Sequence, residues 1–262
     1  MDKLRLHCFL FYFVVLYYSV VLGGRKMIQV VLWDIDGTLL DFGQAENYAM
    51  KKCFEILEMG VCTDEMVARY AAINIKYWER LERNEITKQE TLVGRFQEFF
   101  ETEKLPMDKA ALFNQEYQIR IGDKVFFNDN GAALVKELKE HKIAQYAVTN
   151  GTLAAQRRKL AASGLDRLFD GAFISDEVGV VKPNIEFFEL VFESAFKVKH
   201  YEKNEIMIVG DSLTSDMQGG NNAGIVCCWY NPKGNKNTRG LRIDYEIKNL
   251  NELKKIIFTN DF

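Results

Sequence analysis

The stretch Val30-Val31-Leu32-Trp33-Asp34-Ile35-Asp36-Gly37-Thr38-Leu39-Leu40-Asp41-Phe42 decides how this chain is read. It opens within an apolar run, Ile28 to Trp33, that is rich in Val and Ile and broken only at Gln29. A short run of that kind, closed by Asp and Gly, predicts a strand buried on both faces. The run then finishes in two carboxylates. Residues i and i+2 of an extended chain fall on the same side, so Asp34 and Asp36 can face one pocket. Gly37 lets the backbone turn sharply away. Crowded carboxylates are unfavourable unless a cation neutralises them. The segment therefore predicts an acidic site at the end of a buried strand.

Two patterns follow. Helical patterns run over Gln44–Met59, Asp64–Arg83, Lys88–Glu103 and Asp108–Gly122, with Thr63 and Thr87 as N-caps and Pro106 at a break. From Asn128 the chain alternates. Helices are predicted over Ala132–Glu140, Leu153–Ser163, Asn184–Phe196, Thr214–Asn222 and Glu252–Phe258. Strands are predicted over Ile143–Val148, Ala172–Ser175, Ile206–Val209 and Ile225–Tyr230, with a last one near Tyr245. Such alternation means a parallel sheet covered on both faces. The expected fold is α/β: a Rossmann-like, doubly wound parallel sheet with a small all-helical cap inserted after the first strand. The core is expected to span 27–43 and 123–262, and the helical cap 44–122.

Composition narrows the function. With 262 residues, 48% of them hydrophobic, one large domain or a core with a sizeable insert can be buried. A net charge of -3 offers no basic surface for a nucleic acid polymer. The 5 cysteines form no CxxC pair and are read as reduced, mostly buried thiols. The 3 histidines lie far apart in sequence, so a His-based zinc site or a Ser-His-Asp triad has little to work with. A metal here must be held by oxygen.

Residues 1–26 stand apart. Leu4 to Gly24 is strongly apolar and follows Lys3 and Arg5. The first reading is a misassigned start. Met27 opens the natural beginning of an α/β domain, and Gly23-Gly24-Arg25-Lys26 can be spelled in purine codons that include GGAGG, a ribosome-binding string. The second is a membrane anchor through residues 4–22, since ~20 apolar residues span a bilayer. The third is a cleaved signal. The expected location is cytoplasmic, with membrane attachment only if residues 1–26 are real.

In open α/β sheets, ligands bind beyond the carboxyl ends of the strands. The polar groups expected there are Asp34 and Asp36, the Thr149-Asn150-Gly151 turn, Lys182, Asp211 and Asp216. Hard oxygen donors without imidazole suit Mg²⁺. Lys182 and Thr149, with nearby backbone N–H groups, suit an anionic phosphoryl group beside it. Singly, these residues also read as ordinary turn and cap formers, Asp216 most of all. Together they do not, because Lys182 and the shared strand-end placement would be left without a reason.

Asp34-Ile-Asp-Gly-Thr, Thr149-Asn-Gly, Lys182-Pro and Gly210-Asp-Ser-Leu-Thr-Ser-Asp216 resemble, in order, the four motifs of the haloacid dehalogenase superfamily. The resemblance covers Met27 to the C-terminus. It implies that Asp34 is a nucleophile forming an aspartyl-phosphate, and that Asp36 protonates the leaving alkoxide and then activates water. It implies Mg²⁺ held by Asp34, Asp211 and the backbone carbonyl of Asp36. Asp216 would orient a metal water or Lys182, and Thr149, the Asn150 backbone and Lys182 would bind phosphoryl oxygens. Asp36 argues for phosphoryl chemistry over carbon–halogen cleavage, and Thr38 for a phosphatase over a mutase.

The stretches Gly179-Val-Val-Lys-Pro-Asn184 and Gly219-Gly-Asn-Asn-Ala-Gly224, the latter running on to Cys228-Trp-Tyr-Asn231, are similar to bacterial 5′-nucleotidases acting on pyrimidine and non-canonical nucleotides. The expected partner is a small phosphate monoester. A sugar-phosphate or phosphoglycolate-type phosphatase is the alternative, then a phosphosugar mutase or a non-catalytic phosphate binder. The expected state is monomer or homodimer. Tyr77, Trp78 and Phe96 could stack on a base, although their helical spacing points to packing within the cap.

Overall fold

The computed structural model describes residues 27–197 and 199–258. The apolar extension and its three readings lie outside these residues. Among the described residues no helix is long and apolar enough to cross a membrane.

Six strands form one sheet: β1 (Val30–Trp33), β2 (Ala144–Thr149), β3 (Gly171–Ile174), β4 (Ile206–Gly210), β5 (Val226–Tyr230) and β6 (Tyr245–Ile247). Their order is β3-β2-β1-β4-β5-β6, and every neighbouring pair is parallel. The opening run of the sequence thus becomes a central strand. Alternation explains its uniform apolarity: Val31 and Trp33 join the core on one face, packed with Leu134, Leu138 and Leu250. Val30 and Leu32 join the core on the other, with Phe187, Phe188 and Val191. A strand buried on both faces has no side free for polar residues. Its neighbour β4 divides in the same way.

Between β1 and β2 the chain forms α1 (Phe42–Ile56), α2 (Asp64–Glu82), α3 (Lys88–Thr102) and, after a 3-10 turn at Met107–Lys109, α4 (Ala110–Arg120). The expected helix at Gln44 begins two residues earlier, because Asp41 takes the N-cap and accepts from Gln44 N at 3.0 Å. Thr63 and Thr87 cap α2 and α3, and Glu90 completes a capping box with Thr87. These helices close on their own aromatic core of Tyr70, Phe96, Phe99, Phe100, Phe113 and Tyr117. Phe96 is fully inside it, stacked on Tyr70 at 4.8 Å, and Tyr77 packs against its edge. The packing reading therefore holds for Phe96. Trp78 instead faces a cavity.

The remaining helices are α5 (Gly131–Glu140), α6 (Leu153–Ser163), α7 (Ser175–Val178), α8 (Ile185–Ala195), α9 (Gln218–Ala223) and α10 (Leu253–Phe258). Two expected elements differ in form. The strand near Ala172 stops at Ile174, and Ser175 opens α7. The helix expected over Thr214–Asn222 begins as a wide π turn, Leu213–Met217, before α9. The π turn widens because Met217 N reaches back to Ser212 O, at 3.0 Å. Turns of this kind are frequent at functional sites, where one extra residue re-aims a side chain. Here that side chain is Asp216.

Candidate active site

β1 is where the winding reverses, since β2 and β3 lie on one side and β4 to β6 on the other. A crevice opens at such a point beyond the carboxyl ends of the strands. Asp34 follows β1 directly and is still laddered to its neighbour, with its N–H on Val209 O at 2.9 Å. Asp211 follows β4, and Thr149 closes β2. These strand ends bring together residues far apart in sequence.

Gly37 is required at its position. Its φ is +92°, and a Cβ there would sit 2.6 Å from Asp211 Oδ2. Only glycine allows both the turn and the approach of Asp211. Gly210 has a matching role: a Cβ there would lie 2.3 Å from Asp216 Cγ. The Thr38 hydroxyl lies between two acids, 3.1 Å from Asp34 Oδ2 and 3.2 Å from Asp211 Oδ1.

Lys182 is fully buried beneath this group. Its ammonium donates to Asp34 Oδ1 at 2.9 Å, Asp216 Oδ1 at 2.6 Å and Val148 O at 2.7 Å. All three donor positions are thereby used. Asn150 clamps the Lys182 backbone with both ends of its carboxamide: Nδ2 donates to Lys182 O at 2.9 Å, and Oδ1 accepts from Lys182 N at 2.8 Å. Asp216 Oδ2 also accepts from Ser212 N at 3.1 Å.

Oxygens of Asp34, Asp211 and Asp216 lie within 4.8 Å of one another, so these three acids could hold a metal ion. Burial pushes the Asp34 carboxyl up to about 7; Lys182 pulls it down, and Asp216 and Asp36 push it further up. Asp211 opens onto the cavity but is ringed by protein. That desolvation, with the charges of Asp34 and Asp216, holds its carboxyl well above the usual range, against the Thr38 hydrogen bond. Burial works against the charge on Lys182, but Asp216 and Asp34 outweigh it and keep the ammonium protonated beyond its ordinary range.

The carboxylate of Asp36 stands apart from this acid group but lines the same cavity. Lys159 Nζ lies 2.5 Å from its Oδ1 and Gln156 Nε2 lies 2.6 Å from its Oδ2. Both partners come from α6, where they are buried. Sequence reasoning missed them. The available signal was a glutamine and a lysine three apart in the helix that follows Thr149-Asn-Gly, flanked by the apolar Ala155 and Leu160 on the face it buries. The hydroxyl of Thr149 accepts from Gly151 N at 3.1 Å, shaping that loop.

A cavity of about 890 Å³ covers the site. Asp34, Asp36, Thr149, Asn150, Asp211 and Asp216 line its floor, and the helical insert supplies Glu46, Asn74, Trp78, Glu82, Arg95 and Tyr117. The insert also contacts the core near the rim. Thr214 donates to Glu82, and Lys88 reaches Gly151 O at 3.0 Å and Ser175 Oγ at 2.7 Å. Burial pushes Glu82 up to about 7, with the Thr214 hydrogen bond opposing. The described histidines, His141 and His200, are not in the cavity wall. Cys53, Cys62, Cys227 and Cys228 are free and buried, as expected of inert thiols.

A buried carboxylate at the end of the central strand, a buried lysine and an acid group that could hold a metal meet at the reversal of a parallel sheet. The family model for haloacid dehalogenase-like hydrolases matches residues 28–224, and the chain belongs to that family of hydrolytic enzymes. It is 33% identical to the HAD-hydrolase YfnB of Bacillus subtilis over 88% of this chain and 96% of that one. A crystal structure of YfnB bound to magnesium superposes with a TM-score of 0.82 over 88% of this chain and 99% of that chain. The chain is also 34% identical to the pyrimidine 5′-nucleotidase PynA of Streptococcus pneumoniae, over 86% of this chain and 93% of that one. It is 28% identical to the pyrimidine 5′-nucleotidase YjjG of Escherichia coli, over 87% and 96%.

Proposed function

We propose that the chain is a magnesium-dependent phosphatase that works through an aspartyl-phosphate on small phosphate monoesters, foremost nucleoside 5′-monophosphates. The observation that carries this reading is Asp34 itself. It is a nearly buried carboxylate fixed on one oxygen by Lys182 and set beside Asp211 on the floor of a cavity. Similarity to two proteins named pyrimidine 5′-nucleotidases supports the choice of ester.

The donor set fits Mg²⁺. The group is all hard oxygen, and burial, together with the neighbouring acids, holds two of its carboxyls at raised proton affinity. Asp34, Asp211 and the backbone carbonyl of Asp36 would hold the ion, which when bound supplies charge that favours both ionised carboxylates and offsets the anionic substrate. Lys182 favours the ionised form of Asp34 and aims its carboxylate. The Thr149 hydroxyl and the N–H groups of its loop offer donors to phosphoryl oxygens.

In the first step the Asp34 carboxylate attacks phosphorus and the ester oxygen leaves with the proton of Asp36. In the second, the Asp36 carboxylate takes a proton from water as that water displaces phosphate from the mixed anhydride. Asp34 is regenerated and inorganic phosphate released. Residues 44–122 act as a cap that walls off the reaction and selects the leaving group.

The test is phosphate release from UMP, dUMP, dTMP, IMP and sugar phosphates, with Mg²⁺ and with EDTA, using the wild type and Asp34→Asn. Turnover of nucleotides that is lost with EDTA and with the variant is expected. Release from sugar phosphates alone would overturn the nucleotide assignment, and undiminished turnover by Asp34→Asn would overturn the mechanism.

A further inference from the structure

A polar chain runs through the aromatic core of the insert and reaches the cavity wall. Arg95 is only 2% exposed, and its guanidinium lies 5.0 Å, 5.3 Å and 5.8 Å from the ring centres of Phe96, Tyr117 and Trp78. Arg95 Nη1 donates to Asn74 Oδ1 at 2.8 Å, and Asn74 Nδ2 donates to Glu46 Oε1 at 3.0 Å. Tyr117 OH approaches the same oxygen at 3.5 Å. Two buried polar atoms of this region, Arg95 Nε and Tyr70 OH, have no hydrogen-bond partner.

Packing alone does not call for such a chain. Apolar residues of similar volume fill a core at equal or lower cost than a buried ion group, and an unpartnered buried donor is a further cost. Both protein hydrogen bonds to Glu46 fall on Oε1, while Glu46, Asn74, Arg95 and Trp78 all border the cavity that holds Asp34. The chain carries one acid and one base, so it suits a neutral ligand and not a second phosphate or a cation. It offers an acceptor, Glu46, on a cavity wall that the Arg95 side chain and the Trp78 indole also line.

We propose that Glu46, Asn74 and Arg95 read the edge of a planar heterocycle in the leaving group, one that presents a ring N–H beside a ring carbonyl, with Trp78 against its face. The N–H would donate to Glu46 and the carbonyl would accept from the Arg95 side. Burial holds the Glu46 carboxyl up to about 7, opposed by Asn74, Arg95, Tyr117 and Lys159, so a donor from the ligand adds to what favours its ionised form. This inference rests on the nucleotide reading of the site and names the residues that enforce it. Uracil and thymine have the required edge; cytosine lacks the ring N–H between its carbonyl and amino groups.

The experiment compares kcat/KM for UMP, CMP and ribose 5-phosphate in the full chain and in Glu46→Gln, with thermal melts alongside. Wild type should prefer UMP to CMP. The ratio of UMP to ribose 5-phosphate should fall about 100-fold in Glu46→Gln, through KM, because a site built for a hydrogen bond rejects a mismatched partner strongly. Uridine, which carries no phosphate, should inhibit ribose 5-phosphate hydrolysis by the wild type more strongly than cytidine does. That arm needs no variant to fold. Hydrolysis of UMP with an unchanged ratio, or equal inhibition by uridine and cytidine, would overturn the base-reading role and leave the nucleotidase reading standing. No turnover of any nucleotide would overturn both.

Discussion

Replacing Lys182 by methionine removes a cation from between Asp34 and Asp216 while keeping most of the side-chain volume. Lys182 is fully buried and bonded to both acids and to Val148 O. Breaking a buried pair strands the remaining charge and costs about 3–5 kcal/mol. At about 2–4 °C per kcal/mol for a domain of this size, Tm should drop by roughly 6–20 °C in the metal-free protein. The loss should depend on pH with a definite sign. Asp34 in the folded wild type titrates at about 7, with Lys182 pulling it down. Without Lys182 that value rises further. Above pH 7 the folded variant therefore holds a proton that the folded wild type has released, so the variant's deficit widens as pH rises. Below that point both folded forms keep the Asp34 proton, and this part of the deficit is constant. The assay is a pair of thermal melts in EDTA, at pH 6 and pH 8.5. A Tm drop of less than about 2 °C, against the cost expected of a broken buried pair, would refute the reasoning. So would a deficit that narrows toward alkaline pH. Phosphate release should be lost at both pH values.

Lys159→Met should slow UMP hydrolysis about 10-fold by freeing the carboxylate of Asp36, part of the roughly 100-fold or more that a general acid provides. It should slow p-nitrophenyl phosphate less, since that leaving group needs no proton; steady-state rates on both esters check this. Glu82→Gln should gain stability over wild type as pH rises from 4.5 toward 7, because burial holds the folded-state carboxyl at about 7 and wild type loses stability across that window. Melts in EDTA at pH 4.5 and 8 measure the gap, which should be nearly absent at the lower pH. Gly37→Ala places a Cβ 2.6 Å from Asp211 Oδ2 at a φ of +92°. A strained residue of this kind costs about 1–3 kcal/mol, and the variant should show a lower Tm together with weakened magnesium binding by titration calorimetry.

The core was legible because each of its decisions is local. Ile28 to Trp33 reads as a buried strand, realised over Val30–Trp33, and a strand places whatever follows it at one edge of the sheet. Once β1, β2 and β4 are adjacent, Asp34, Thr149 and Asp211 must meet, whatever the helices between them do. What the pattern did not carry was the direction of each side chain. Asn150 reads as a turn residue supplying backbone, yet its carboxamide braces Lys182. Asp216 reads either as a partner of Lys182 or as a first-turn acid on a helix, and the pattern alone does not choose. The π turn from Ser212 rotates it inward under Gly210, where a glycine leaves room for its carboxyl.

The insert was legible only as helices, for a physical reason. A parallel sheet has fixed spacing and direction, so strand ends converge without further information. Four helices packed on one another can turn any face toward the cavity, and the choice depends on long-range contacts that periodicity does not encode. Glu46 and Asn74 sit at inward positions of α1 and α2 and break an otherwise apolar stripe, as do Gln156 and Lys159 on α6. Those four interruptions are the same kind of signal as the two aspartates at the end of β1: polar atoms placed where burial is costly. In β1 the strand end says where they go. In the helices only the packed structure does, and it brings Gln156 and Lys159 to Asp36, and Glu46 and Asn74 to the wall above it.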